Sequence, residues 1–229
     1  QDIIITPAPA NERGNVNISA LVKNEGFSSA NNIVVNFYRG VPGPNGLLLG
    51  AHTIASLAPN ESARVSIDWT NIPESGEKII YVQVDPASQI VEIREDDNEA
   101  FTTLNILSLP DLEISASSIS LTPSAPKDGD VVAITATVQN RGQQGATNVQ
   151  VTAYEGSAVI GTQAISHLAG NTAGSASFSY DATGKTGVHQ ITIIIDPDNA
   201  ITEQSENNNT AAKTLGVQNA NLWISEPYI

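Results

Sequence analysis

Residues 22–40 read VKNEGFSSANNIVVNFYRG and residues 138–156 read VQNRGQQGATNVQVTAYEG, at a constant offset of 116 residues. Eight of these 19 positions are identical. Residues 84–100, VDPASQIVEIREDDNEA, lie in the same way over residues 195–211, IDPDNAITEQSENNNTA, at an offset of 111. Both obey D-P-x(3)-I-x-E-x(2)-E-x-[DN]-N-x-A, and the five-residue change of offset falls at the Pro42 to Gly46 turn. An internal repeat decides the architecture before any local assignment does. The 229 residues are therefore two copies of one unit, each of roughly 110 residues, a usual size for one domain.

Each copy is written in strand chemistry, with short runs of Val, Ile and Thr that alternate in polarity between Gly, Pro and Asn turns. Val16, Ile18, Ala20 and Val22 alternate with polar or smaller residues, as do Ile33, Val35 and Phe37, and Val65, Ile67 and Trp69. In the second copy Val149, Val151 and Ala153, then Ala176, Phe178 and Tyr180, then Ile191, Ile193 and Ile195 do the same. A period of two puts each set on one face. Two antiparallel sheets that turn those faces together make an immunoglobulin-like or fibronectin-like β-sandwich of about seven strands. The chain is thus expected to be all-β, with tandem sandwiches at 1–109 and 110–219, followed by an extra C-terminal strand at 220–229.

The V-x-N-x-G turn at Val22 to Gly26 and Val138 to Gly142, with the later D-P-x(3)-I-x-E-x(2)-E-x-[DN]-N segment, resembles the bacterial and archaeal cell-adhesion-related domain called CARDB. The resemblance covers nearly the whole chain, twice. It implies tandem, non-catalytic beads in secreted or surface-attached proteins, and so an extracellular structural or adhesive role. The first copy departs from the second at Asp97, where the second has Asn208.

Composition narrows the function classes. With no cysteine, the chain has neither disulfides, a thiolate zinc site nor a cysteine nucleophile. A net charge of −14 repels the phosphate backbone, so nucleic acid is not an expected partner. No apolar run approaches the roughly 20 residues that cross a bilayer, which argues against direct membrane insertion. The start is neither Met nor basic-then-apolar, as in a processed or excised chain. His52, His167 and His189 fall at non-equivalent repeat positions, which excludes a shared catalytic base, and no enzyme activity is expected.

The ends are out of phase with the repeat. The offset of 116 aligns Ile3 with Ile119 and Ile5 with Leu121, so the first copy lacks the counterpart of PDLEISA, residues 110–116. Residues 220–229, ANLWISEPYI, lie over PDLEISASSI, with Leu222 on Leu112, Ile224 on Ile114 and Ile229 on Ile119. A sandwich short of an edge strand exposes an apolar groove and unpaired backbone groups that another chain can complete. Leu222, Trp223, Ile224 and Ile229 are then a donor strand, and Ile3 and Ile5 mark the acceptor edge. Trp223, aligned with the charged Glu113, reads as an interface anchor. Head-to-tail insertion that does not close makes a filament, so the chain's partner is a further copy of itself. The alternative is a spacer or adhesion module from a longer tandem array, with neighbouring repeats as partners and surface glycans as a ligand.

Asp85, Glu92, Glu95 and Asp97, with Asp196, Asp198, Glu203 and Glu206, gather carboxylates along one hairpin of each copy. Such oxygens suit Ca2+, but the EF-hand pattern is absent and solvated turn acids are the simpler reading. No other cofactor is expected. Asn24 and Asn140 read as turn residues that let Gly26 and Gly142 take positive φ. Asn17, Asn60 and Asn208 each begin an N-x-[ST] sequon, an acceptor for glycan in a secreted protein.

Overall fold

The computed structural model describes residues 2–219, and the chain divides into two compact units between Ser108 and Leu109. The division falls one residue before the boundary drawn from the sequence. In the first unit the strands are β1 (Ile3–Thr6), β2 (Ala10–Asn11), β3 (Val16–Lys23), β4 (Ala30–Arg39), β5 (Leu47–Leu57), β6 (Ser62–Trp69), β7 (Gly76–Val84) and β8 (Glu99–Leu107). They form one sheet in the order β1-β3-β6 and another in the order β2-β8-β7-β4-β5. In the second unit the strands are β9 (Leu112–Glu113), β10 (Ile119–Thr122), β11 (Val131–Asn140), β12 (Ala146–Glu155), β13 (Ala158–Leu168), β14 (Ala173–Asp181), β15 (Gly187–Ile195) and β16 (Thr210–Val217). Its sheets run β10-β11-β14, with β9 also on β11, and β13-β12-β15-β16. Each unit is an immunoglobulin-like sandwich.

The alternation read from the sequence is the packing pattern. Val16, Ile18, Ala20 and Val22 of β3 face one core together with Val35 and Phe37 of β4 and Ile80 and Val82 of β7. Ile134, Ala136 and Val138 of β11 face the other, with Val151, Ile191 and Ile193. Side chains of this kind contribute about 1.5 to 3 kcal/mol each when fully buried. Trp69 and Tyr180, at matched positions of β6 and β14, are both buried. A register shift falls at Phe37/Tyr38 in β4 and at Ala153/Tyr154 in β12, so the bulge is repeated too. The five-residue difference lies in the β4–β5 turn, which the second copy closes with Gly156-Ser157, Gly156 taking a φ of 58°.

Two pairings lie outside the period-two reading. Residues Ala10 and Asn11 of β2 run parallel to Ile106 and Leu107 of β8, and Lys127 makes a parallel bridge to Gln218. Each sandwich thus ties a segment near its start to one near its end. Among the described residues no helix is long and apolar enough to cross a membrane.

Candidate functional site

In the second sandwich the opening segment lies along one edge of β11. Leu112 stands opposite Asn140 and Glu113 opposite Gln139. A 3₁₀ turn at Ala116–Ser118 follows, and β10 continues along the same edge, opposite Ala133 to Ala136. Leu112 and Ile114 are buried in the core. Asn140, itself buried, is the hub of the segment. Its Oδ1 accepts the backbone N–H groups of Asp111 (3.1 Å) and Gly142 (3.0 Å), and its Nδ2 donates to the carbonyls of Gln144 (2.8 Å) and Leu168 (3.3 Å). From the facing loop, Glu203 Oε2 accepts the N–H of Leu112 at 2.5 Å and the Asn208 carbonyl accepts that of Ile114 at 3.1 Å. Outside the core, Asn208 Nδ2 donates to Asp111 Oδ1 (3.0 Å) and Arg141 pairs with Glu113 (2.9 Å).

Gly142 is a glycine for a different reason from the one its turn suggests. Its φ is not positive; instead a Cβ there would stand 2.0 Å from the Leu109 carbonyl oxygen and 2.7 Å from Pro110 Cα. The absent side chain lets the opening segment pass. Gly26 occupies the matched place in the first sandwich, and a Cβ there would meet only Asn24 Oδ1, at 3.1 Å.

In the first sandwich the corresponding place is an open groove of about 770 Å³, whose lining includes Ile3, Val22, Asn24, Leu57, Ile90 and Glu92. Its gripping atoms are arranged as in the filled counterpart. Asn24 Nδ2 donates to the carbonyls of Ser28 and Leu57, both at 2.8 Å, and its Oδ1 accepts the N–H of Gly26 at 3.0 Å. Asn98 Nδ2 donates to Glu92 Oε1 at 3.1 Å, as Asn209 Nδ2 donates to Glu203 Oε1 at 3.0 Å. Val22, Lys23 and Asn24 border the groove. Ile3 lines the groove, whereas Ile5, opposite Ile18 on β1, is not among its lining residues. Leu222, Trp223, Ile224 and Ile229 lie outside the described residues.

The carboxylates of the two loops serve the backbone. Asp85 and Asp196 take positive φ, 42° and 45°, and their Oδ2 atoms accept the N–H groups of Ile90 (2.7 Å) and Ile201 (2.8 Å). Glu95 and Glu206 accept the N–H groups of Glu92 and Glu203. Asp85, Asp196 and Glu203 are buried, so these three are not the solvated acids expected from the sequence. The turn between Glu92 and Glu95 also brings together side chains that a strand would have parted. Asp97 and Asp198 are exposed, Asp97 lying 3.6 Å from Arg94. Among the described residues no group of three or more His, Cys, Asp and Glu side chains is placed to hold a metal ion. Burial pushes the Glu203 carboxyl up to about 7, with Glu206 and Asp196 adding to the shift against the Leu112 and Asn209 hydrogen bonds. Burial likewise raises Glu92.

A second cluster escaped sequence reasoning. Glu155 accepts from the Tyr180 hydroxyl (2.9 Å), pairs with Lys185, and contacts His189 Nδ1 at 2.6 Å. Burial alone would raise the Glu155 carboxyl, but the hydrogen bonds from Lys185, Tyr180 and His189 prevail and hold it low. Burial and the neighbouring carboxylate push the Tyr180 phenol above its ordinary value. At the matched positions the first sandwich has Arg39, Glu74 and Lys78, with Glu74 paired to both cations. The clasp thus recurs with acid and base exchanged at two positions, Arg39 for Glu155 and Glu74 for Lys185, while the third stays basic, Lys78 for His189. The sequons differ in availability. Asn17 Nδ2 is bonded to Asp68 (2.8 Å) and Asn208 Nδ2 to Asp111 (3.0 Å), while Asn60 is exposed at the β5–β6 turn with a φ of 59°.

A model of the CARDB family matches residues 2–102 and again residues 109–213. Among solved structures, a CARDB domain from Pyrococcus furiosus in complex with di-metal ions is 24% identical over 48% of this chain and 94% of its own, with a TM-score of 0.43. A domain of a Methanosarcina acetivorans protein named for the cell surface is 29% identical over 48% of this chain and 93% of its own, with a TM-score of 0.42. The fibronectin(III)-like modules of CbhA from Clostridium thermocellum are 16% identical over 99% of this chain and 100% of theirs, at a TM-score of 0.32. No curated protein matches the chain.

Proposed function

We propose that this chain, which belongs to the CARDB family of cell-adhesion-related domains through both of its sandwiches, is an extracellular structural subunit that joins copies of itself head to tail by strand donation. One observation supports this reading. The second sandwich buries the segment PDLEIS in a groove gripped by Asn140 and Glu203, and the first sandwich carries a matching groove lined by Asn24 and Glu92. Residues 220–225, ANLWIS, carry the apolar spacing of PDLEIS. An extended segment added to a sheet edge gains ladder hydrogen bonds together with side-chain pockets, and a heterologous contact of that kind propagates into a filament. No catalytic step is part of this function.

Deleting residues 221–229 is expected to leave a monomer where the full chain sediments as concentration-dependent oligomers and forms filaments in electron micrographs. The second reading, a non-catalytic spacer or adhesion module within a longer tandem array, is favoured by the double family match. It requires both proteins to sediment as monomers, and a glycan ligand would belong to it.

Calcium has no part in this reading, because the loop carboxylates already accept backbone N–H groups. A bound ion at a thousand times its Kd would add about 4 kcal/mol of stability. The expected result is that melting curves in excess calcium and in chelator coincide, and a rise in Tm with calcium would refute it.

A further inference from the structure

We propose that the outer face of strands β8, β7, β4 and β5 in the first sandwich binds a neutral polysaccharide whose pyranose rings carry their hydroxyls equatorially. Such a site goes beyond strand donation and gives the adhesion reading a place and a ligand class. The strand registers set four side chains in one row across the sheet, Leu48 opposite Tyr38, Tyr38 opposite Tyr81 and Tyr81 opposite Phe101. Phe37, Ile80, Val82 and Leu104 on the same strands face the core, so a period of two turns the row outward. The Tyr81 and Phe101 rings stack with centroids 5.2 Å apart at 24°, and Phe101 is still 64% exposed. At Phe101 β8 is an edge strand, because β2 pairs only with Ile106 and Leu107. One face of that ring is therefore open. Asn36 Nδ2 donates to the Tyr38 hydroxyl at 2.9 Å, a bond two residues along β4 that lays the Tyr38 ring along its strand.

The fold does not require these rings. In the second sandwich the same row reads Val159, Tyr154, Thr192 and Ala212, in the same strand pairing. Ile79, next outward residue of β7 and 40% exposed, is replaced there by Gln190. Aromatic residues make up only 5% of the chain, yet the first sandwich places three of them on a face that its sister covers with Thr and Ala. Exposed apolar patches of this kind mark interaction surfaces. None of the four side chains in the row lines the groove beside Asn24, so this face is separate from it.

The surroundings select the ligand. Asn36 and Gln83 stand opposite each other in the next row, and Gln83 Nε2 donates to Glu99 at 2.9 Å. The outward positions of the four strands include Glu77 and Glu99 but neither Lys nor Arg. Single-stranded nucleic acid stacks on rings of this kind only within a cationic groove, and acidic polysaccharides and anionic lipid are repelled in the same way. A protein interface sets a broad apolar core inside a polar rim, whereas this apolar row is narrow and has amides directly beside it. A pyranose with equatorial hydroxyls matches both parts. Its axial C–H bonds form an apolar, slightly positive face that lies against the negative face of an aromatic ring. Its hydroxyls point outward around the edge, where Asn and Gln side chains both donate and accept. Adjacent strands lie about 4.8 Å apart, close to the length of one sugar residue in an extended chain.

The test uses the full chain in affinity electrophoresis through gels containing mixed-linkage β-glucan, hydroxyethyl cellulose or xylan, with polygalacturonate as the acidic control. At least one neutral polymer is expected to retard the protein, and added salt should leave the retardation unchanged. The double variant Tyr81→Thr, Phe101→Ala installs the residues of the second sandwich, which that fold tolerates, and is expected to weaken binding about tenfold. Its melting curve shows that the variant is folded. The matched double variant Thr192→Ala, Thr214→Ala on the outer face of the second sandwich should bind as the parent does. Retardation by none of the neutral polymers, retardation only by polygalacturonate, or retardation that survives the loss of Tyr81 and Phe101 would each overturn the site. Self-association that is lost in the Tyr81→Thr, Phe101→Ala variant would name a second copy as the occupant and overturn it too. Deleting residues 221–229 tests strand donation and leaves this face intact, so the two failures are distinguishable.

Discussion

Gly142→Ala is expected to destabilise the second sandwich by about 3 to 5 kcal/mol, whereas Gly26→Ala leaves the first sandwich unchanged or stabilised by about 0.5 kcal/mol. The asymmetry follows from what each Cβ would meet. At Gly142 it would stand 2.0 Å from a backbone carbonyl oxygen, which no rotamer change can relieve. The opening segment must move away, and burial of Leu112 and Ile114 goes with it, together with the bonds to Asn140 and Glu203. Two apolar side chains of this size and their ladder bonds account for the figure. At Gly26 the new methyl meets one side-chain oxygen at 3.1 Å, and the gain is the lost freedom of the unfolded chain. Calorimetry of the two variants separates the cases, and equal losses in both would refute the assignment of Gly142 to strand passage.

Glu203→Gln is expected to stabilise the second sandwich by about 2 to 3 kcal/mol above pH 7 and to remove most of its pH dependence between about 4.5 and 7. The carboxyl titrates near 4.5 when unfolded and at about 7 when folded. Between those values the folded state holds the extra proton, so stability falls as pH rises through the window, and the cost is complete above pH 7. Glutamine keeps an acceptor for the Leu112 N–H and carries no charge. Its NH2 takes the place of Oε1, which now accepts from Asn209 Nδ2 at 3.0 Å, so the Asn209 amide turns over and presents its Oδ1, a buried atom with no hydrogen-bond partner in the structure, as the acceptor. A shift of this size corresponds to roughly 10 °C in Tm for a domain of about 110 residues. Thermal melts at pH 5 and pH 8 are the measurement. A variant that melts below the parent at pH 8 would show that the charge is well tolerated where it lies.

The parts of this protein legible from sequence were those in which like replaces like. Val35 over Val151, Trp69 over Tyr180 and the D-P-x(3)-I-x-E signature keep their chemistry between copies, so the two sandwiches, their faces and the five-residue difference at the Pro42 to Gly46 turn could be read directly. The groove was legible as a shortfall in the repeat, but most of the side chains that line it were not. Ile5 has its own partner on β3, whereas the gripping atoms sit on Asn24 and Glu92, far apart in the chain. The clasp of Glu155, Lys185 and His189 was hidden because in its counterpart Arg39 replaces Glu155 and Glu74 replaces Lys185, and a comparison of identities sees no match. The acids at Asp85, Asp196 and Glu203 read as solvent-facing because composition does not reveal that a backbone N–H is their partner.

The parallel contacts of β2 with β8, and of Lys127 with Gln218, also govern how each sandwich bears load. In a parallel pair the incoming end of one segment and the outgoing end of the other lie at opposite ends of the contact. Tension that enters through Ala10 and leaves through Leu107 therefore acts along the strands, and their hydrogen bonds are stressed together in shear. An antiparallel pair joined at the same ends would peel one bond at a time. Resistance to pulling is a matter of unfolding rate rather than of equilibrium stability, and the two-residue strand Ala10–Asn11 is well placed to raise it.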